Sequence, residues 1–120
     1  MLRWALVFSV VVAVANGKIL SAQQFQQELR KNHVPEWMIG TFTCIAKRES
    51  GFNTAARNWH TGDHGIFQIS QKYWCSPPGK GCKVSCDALR NNDLKDDIKC
   101  AMLIYNKSGF NAWATYQYCR

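Results

Sequence analysis

Glu36-Trp37-Met38-Ile39-Gly40-Thr41-Phe42-Thr43-Cys44-Ile45-Ala46-Lys47-Arg48-Glu49 is the stretch on which the fold turns. Met38, Phe42, Ile45, Ala46 and Glu49 follow one another at helical steps, so one face carries four apolar side chains and ends in a carboxylate. A charged group in register with an apolar stripe is out of pattern, and it predicts that Glu49 faces the core or the wall of a cleft. Val34-Pro35 precedes this helix and separates it from an earlier one. The earlier helix opens at Ser21, which forms a Ser-x-x-Gln capping box with Gln24, and Ala22, Phe25 and Leu29 share a face as far as about Asn32.

Past Glu49 the chain turns polar and turn-rich from Phe52 to Gly65, with Asn53, Asn58 and Thr61-Gly62-Asp63, before the short apolar run Ile66-Phe67-Gln68-Ile69. This reads as a small hairpin. Ser76-Pro77-Pro78-Gly79-Lys80-Gly81 reads as a loop between Cys75 and Cys82. A third helix is expected from about Asn92 through Tyr105, with Ile98, Met102 and Tyr105 on one stripe and Asn106 to Gly109 ending it. Phe110 to Tyr118 leaves room for one or two short helical turns. Helices, a small sheet and helices again make an α+β fold, and no repeat, low-complexity run or linker divides it.

The first residues read differently. Met1-Leu2-Arg3-Trp4, the apolar run Ala5 to Ala15, and small residues Ala15 and Gly17 form the layout of a secretory signal peptide over 1–17, shorter than a membrane span, with the folded domain at 18–120. Cys44, Cys75, Cys82, Cys86, Cys100 and Cys119 all follow that cut, an even number in a small chain bound for an oxidising compartment. Disulfides are expected, and spacing alone leaves their pairing open. Zinc is the weaker reading, since there is no Cys-x-x-Cys pair and His33, His60 and His64 are not grouped with the cysteines. Losing Arg3 lowers the net charge from +7 to +6, which favours anionic partners such as acidic wall polymers. No Lys/Arg block exceeds two residues, so nucleic acid is not expected, and nothing long, basic and amphipathic predicts stable membrane insertion.

Two carboxylates then stand apart. Glu49 ends an apolar stripe and Asp63 lies in a polar hairpin, so their environments should hold one protonated and the other ionised at the same pH. Such a pair suits glycosidic bond cleavage through an oxocarbenium-like state. Trp59, Tyr73, Trp74, Trp113 and Tyr116 offer flat faces, and Asn58, Gln68, Ser70 and Asn111 offer polar groups, a set suited to sugar rings and their hydroxyls. In an extended segment only one of the neighbours Tyr73 and Trp74 can face inward.

Cys44-Ile45-Ala46-Lys47-Arg48-Glu49-Ser50-Gly51-Phe52-Asn53-Thr54, Gly62-Asp63-His64-Gly65-Ile66-Phe67-Gln68-Ile69, Tyr73-Trp74-Cys75 and Asn111-Ala112-Trp113 resemble, in order, the C-type lysozyme family, especially its invertebrate members. The resemblance spans 18–120. It implies a bilobal fold with a helical lobe and a small antiparallel β lobe, secretion, and hydrolysis of the β-1,4 bond between N-acetylmuramic acid and N-acetylglucosamine in bacterial peptidoglycan. It gives Glu49 the role of general acid and Asp63 that of nucleophile or ion stabiliser, lysozyme being the type case of such a pair. Trp113 matches the tryptophan beside the acid, and Tyr73, Trp74, Gln68 and Ala112 match sugar-contacting positions, with Asn58 and Ser70 completing the expected binding set. The implied disulfides are Cys44–Cys119, Cys75–Cys86 and Cys82–Cys100.

Three departures qualify the match. Gln23 stands where the family has its first cysteine and Arg120 precedes the position of the last, so a fourth disulfide is missing and looser docking of the first helix is expected. The hairpin between Asn58 and Asp63 is about three residues shorter than usual. His64 replaces a tyrosine and Ser70 an asparagine, and a charged His64 beside Asp63 would favour its ionised form. An alternative is a family member that binds sugar or protein without cleaving, as α-lactalbumin does. A further alternative is calcium in Asn91-Asn92-Asp93-Leu94-Lys95-Asp96-Asp97, using carboxylates of Asp96 and Asp97, carbonyls of Ala88 and Asp93, and Asn91 where the α-lactalbumin loop has a third carboxylate. The expectation is a secreted, monomeric muramidase using no cofactor.

Overall fold

The computed structural model describes residues 17–120; the expected signal peptide over 1–17 lies, except for Gly17, outside the described residues. Helix α1 (Ala22–Lys31) opens on the capping box, Ser21 Oγ accepting from the Gln24 amide at 3.0 Å while Gln24 Oε1 accepts from the Ser21 amide at 2.9 Å. Its buried residues are Phe25 and Leu29. Helix α2 (Glu36–Ser50) buries Met38, Ile39, Phe42, Ile45 and Ala46 and stops at Gly51, whose left-handed backbone sends its amide back to the Lys47 carbonyl. Helix α3 (Lys95–Ser108) starts three residues later than its stripe suggests. Asn91 Oδ1 accepts from the Asp93 amide and Asp93 Oδ1 from the Lys95 amide, and these side-chain turns hold the preceding residues out of the helix.

The β lobe is a three-stranded antiparallel sheet of two-residue strands, β1 (Arg57–Asn58), β2 (Asp63–His64) and β3 (Ile69–Ser70), with β2 in the centre. Register pairs Asn58 with Asp63 and Asp63 with Ser70 on one line, and Arg57 with His64 and His64 with Ile69 on the next. The apolar run Ile66-Phe67 is a turn and not strand: Gly65 and Gln68 both have positive φ, and the two side chains drop into the core, fully buried. β4 (Cys75–Ser76) and β5 (Val84–Ser85) form a short parallel ladder, so Ser76, read from sequence as loop, is paired backbone. One-turn 3-10 segments at Asp87–Leu89, Phe110–Ala112 and Ala114–Tyr118 complete the chain.

Disulfides join Cys44 to Cys119, Cys75 to Cys86 and Cys82 to Cys100, and no cysteine among the described residues is free. The first closes a separation of 75 residues and fastens α2 to the last residues; in the loop-entropy account such a closure contributes about 4 kcal/mol. The first helix is docked without a covalent tie. Phe25 packs tilted against Phe52 and edge-on to Phe67, at 5.5 and 5.6 Å between ring centroids. Thr54, fully buried, binds both polar backbone atoms of Lys18 and the side-chain oxygen of Asn92. Aromatic packing thus holds the helix, and the polar hub holds the residues ahead of it. No helix among the described residues is long and apolar enough to cross a membrane.

One core group is out of balance. Asp97, at the start of α3, is fully buried, and neither carboxylate oxygen has a hydrogen-bond partner among the described residues. Burial pushes its pKa up to about 8; the nearby amides of Asp97 and Ile66 offset part of that, and Asp96 and Asp93 add to it. The folded state therefore holds a proton that the unfolded chain releases near pH 4. Stability is full below that, falls by on the order of 1 kcal/mol per pH unit up to about pH 8, and is flat above. Asp97→Asn removes the titration. It is expected to raise Tm by on the order of 10–20 °C at pH 8 and to leave it nearly unchanged at pH 4 in calorimetric scans; an equal shift at both pH values would refute this origin.

Candidate active site

Glu49 occupies the last turn of α2, where the apolar stripe below it is already committed to the core. Its side chain emerges half-buried into a cleft of about 220 Å³ shared with Asp63, Gln68, Ile69, Ser70, Trp74, Ile104, Ala112, Trp113 and Ala114. The helix end is pinned to the β lobe by Ser50, whose hydroxyl donates to the Ile66 carbonyl at 2.7 Å. Trp113, nearly buried, donates its indole N–H to the Phe67 carbonyl at 3.0 Å and packs edge-on to Phe42 at 5.7 Å. One wall of the cleft is thus helix and aromatic core, the other the β2–β3 ribbon.

Burial raises the pKa of Glu49 above the ordinary carboxylate value, and the charge of Asp63 raises it further. The Thr115 hydroxyl, 2.8 Å from Oε2, and the Thr115 backbone amide oppose that rise. Because the hydroxyl engages Oε2, Oε1 is the oxygen left to carry a proton. Asp63 sits on the central strand, half-buried, and Oδ2 accepts from the Thr61 hydroxyl at 2.7 Å. The arrangement couples a desolvated carboxyl suited to donating a proton with a hydrogen-bonded carboxylate across the same cleft.

Five of the seven residues expected to bind sugar line this cleft: Gln68, Ser70, Trp74, Ala112 and Trp113. Asn58 and Tyr73 do not. Asn58 Oδ1 accepts from the amides of His60 and Thr61 and shapes the hairpin turn. Tyr73 points outward, 60 % exposed with the Lys72 ammonium near its ring, while its neighbour Trp74 turns to the cleft; the two lie in a turn rather than in extended backbone, the Trp74 amide donating to the Ser70 carbonyl at 3.0 Å. Trp74 is seated by the loop after it: a Cβ on Gly81 would overlap the indole, and one on Gly79 would meet the backbone of Tyr73 and Trp74. Trp59 is exposed on the hairpin tip under the Arg57 guanidinium.

His64 corrects one expectation. Strand alternation turns its ring away from Asp63 into the far side of the sheet, where it is buried. Nδ1 lies 3.1 Å from Arg90 Nε and Nε2 2.7 Å from Gln71 Oε1. A guanidinium only donates, so Nδ1 accepts from Arg90 while Nε2 pairs with Gln71, and the ring faces away from Asp63. In the segment read as a calcium loop, the Asn91 side-chain oxygen accepts from the Asp93 amide and the buried Asp97 keeps both carboxylate oxygens unpartnered among the described residues. His64, Cys75 and Cys86 do converge, but the two sulfurs form a disulfide and are not thiolate ligands.

Thr115, Thr61, Ser50, Ile104 and Ala114 belong to the site without having been singled out from sequence. Ile104 lies on the third helix outside the stripe read from sequence, and the others lie in turns, helix ends or 3-10 segments that give no periodic signal.

Comparison with known proteins places residues 18–120 on the family model described as the C-type lysozyme/alpha-lactalbumin family. Lysozyme c-1 of Anopheles gambiae is 41% identical over 107 residues, spanning 84% of this chain and 76% of that protein. Lysozyme P of Drosophila melanogaster is 39% identical over 120 residues, 92% of this chain and 85% of that one. Alpha-lactalbumin of Tachyglossus aculeatus aculeatus is 36% identical over 114 residues, 83% of this chain and 90% of that one.

Two outcomes follow from the geometry. Thr115→Val should raise the midpoint of the Glu49 carboxyl titration followed by carbon NMR, with Thr115→Ser restoring it; an unmoved midpoint would remove the hydroxyl from the account. Gly81→Ala should displace the Trp74 indole, seen as altered near-UV circular dichroism, and lower thermal stability by about 1 to 3 kcal/mol as overpacking does; a spectrum identical to that of the parent would contradict the contact.

Proposed function

Because this chain belongs to the C-type lysozyme/α-lactalbumin family, we propose that it is a secreted muramidase that cleaves the β-1,4 bond between N-acetylmuramic acid and N-acetylglucosamine of bacterial peptidoglycan with net retention. The observation that carries the reading is the half-buried Glu49, its proton affinity raised by burial, in one cleft with Asp63. An inert relative would have no need of both carboxylates in this arrangement.

In the scheme, Glu49 gives its proton to the glycosidic oxygen as that bond breaks. Asp63 meets the positive charge developing on the sugar, as nucleophile or as ion stabiliser. The leaving chain departs, Glu49, now a carboxylate, takes a proton from water, and the hydroxide equivalent attacks the same carbon from the side the leaving group vacated. The acid is thereby restored and configuration is retained. Gln68, Ser70, Trp74, Ala112 and Trp113 are the proposed sugar contacts, with Trp74 as stacking face; Asn58 and Tyr73 stand outside that set. No cofactor enters the scheme.

Cleavage after Gly17 and export of a domain starting at Lys18 are part of the same proposal, supported by the leader composition and by the three disulfides, which persist in oxidising compartments. A net charge of +6 after cleavage favours encounter with anionic bacterial walls and a monomer in solution, and makes activity salt-sensitive.

The test is clearing of a peptidoglycan suspension at low salt between pH 4 and 8 by the disulfide-intact protein. Glu49→Gln is expected to lose on the order of 10²–10⁴-fold in rate with its fold unchanged by circular dichroism. Asp63→Asn should lose at least as much if the shortened hairpin still places that carboxylate for chemistry. A correctly folded parent protein that clears nothing would sink the hydrolase reading and leave a sugar- or protein-binding protein in its place.

A further inference from the structure

Strand β2 separates two cavities. Asp63 looks into the cleft described above, and His64, one residue on, looks into a second cavity of about 290 Å³ behind the sheet. Around it stand Arg57 of β1, Gln71 after β3, Ser76 of β4, Ser85 of β5 and Arg90 after the 3-10 turn, with Asp87 on the rim. One side of the cavity is held by side-chain bonds, while Arg57, Ser76, Ser85 and Asp87 are exposed at its mouth. Arg90 is held by its Nε bond to the buried His64, the ring is held in turn by Gln71, and the Cys75–Cys86 disulfide closes the floor. Arg57 is braced with its guanidinium 3.5 Å from the centre of the Trp59 ring.

This set is rich in donors and short of acceptors. Among the described residues the Nη1 group of Arg90, the Arg57 guanidinium, the Nε2 group of Gln71 and the hydroxyl of Ser76 donate to no protein acceptor. Ser85 Oγ accepts from the Ala88 amide and keeps its own proton available. The one carboxylate, Asp87, already engages Arg90 through Nη2 and is otherwise exposed to solvent. Two cations and several free donors drawn from five chain segments call for a compact anion with acceptor oxygens pointing several ways. A carboxylate presents two oxygens in one plane and is satisfied by a single guanidinium fork. A tetrahedral phosphate reaches two guanidiniums and the hydroxyls together, and the cavity, near the lower size limit of small-molecule pockets, leaves space for a small group esterified to it.

We propose that this cavity is a phosphate-binding site, taking a phosphate group between Arg57 and Arg90 behind the strand that carries Asp63. It stands independently of the hydrolase reading, because neither Glu49 nor the cleft takes part in it.

The test is nitrogen-edited NMR of the mature, disulfide-intact protein at pH 7, with total ionic strength held constant by exchange against chloride. Inorganic phosphate, glycerol phosphate and short poly(glycerol phosphate) are titrated separately. The expected result is a saturable shift of the His64, Gln71, Ser76, Ser85 and Arg90 signals, with Glu49 and Trp113 unmoved. Arg57→Gln should weaken binding by about tenfold, the loss of one charge-assisted contact. Asp87→Asn should tighten it several-fold by removing the competitor for Arg90. These two positions are chosen because Arg90→Gln would also break the bond to His64 and unsettle the fold. Tight binding of the polymer would identify a phosphodiester chain as the source, and binding of the small phosphates alone a free ester; either supports the site. Shifts no larger than chloride produces, shifts that never saturate, or an Arg57→Gln protein that binds as the parent does would each overturn it.

Discussion

The structure hangs on where Phe67 is placed. Its ring, fully buried, meets Phe25 of α1, Phe42 of α2 and Trp113 of the C-terminal segment at 5.6, 5.5 and 6.4 Å, and its carbonyl accepts the Trp113 indole proton. A β turn is thereby plugged into a helical core. Aromatic pairs of this kind add about 0.5–1.5 kcal/mol each beyond their burial, so the three contacts outweigh the meagre pairing of strands only two residues long. The positive φ at Gln68 persists under this grip and turns the chain back toward the cleft floor. Were the Phe67 ring to leave, the cleft walls would lose their aromatic contact and keep only polar and disulfide ties, among them Ser50 to the Ile66 carbonyl, Trp113 to the Phe67 carbonyl and Cys82–Cys100.

The same core assigns different fates to similar acids. Glu49 stops just short of full burial, so its proton is held more tightly and still remains accessible from the cleft. Asp63, two strands wide of the helices, keeps a hydroxyl partner and contact with solvent. Asp97 goes all the way in, with neither partner nor outlet. Side-chain length and the last turn of an element decide among these outcomes: one residue of register along α2 would place Glu49 either in water or among Ile45 and Ala46.

Much of this was legible in the sequence, and what was not has a common cause. The three helices announced themselves through stripes, a capping box and glycine stops, and Glu49 did so by violating its stripe. The onset of α3 was misplaced because Asn91 and Asp93 hold the backbone in side-chain turns, a competition that apolar periodicity does not register. Two-residue strands are shorter than any alternation that could reveal them, so Ile66-Phe67 looked like strand and Ser76 like loop. Thr115 reaches Glu49 across 66 positions, and Arg90 reaches His64 across 26. Such partners are set by tertiary packing, and local sequence carries no trace of them. Asn58 illustrates the converse, an amide that reads as a sugar contact and is occupied instead in folding its own turn.

The Thr54 hub bears on the order of events in the life of the chain. Its hydroxyl oxygen receives the Lys18 main-chain proton at 3.0 Å, at the point where the proposed cut falls. In the uncut precursor that donor is a neutral amide. Once Gly17 is removed the same nitrogen becomes an ammonium, and a charged donor makes a shorter and roughly twofold stronger bond to the same oxygen. Under the proposed cleavage, maturation would do more than release a leader, since it would tighten the residues ahead of α1 onto the loop before β1 and, through Asn92, onto the entrance of α3. The free end becomes a structural part.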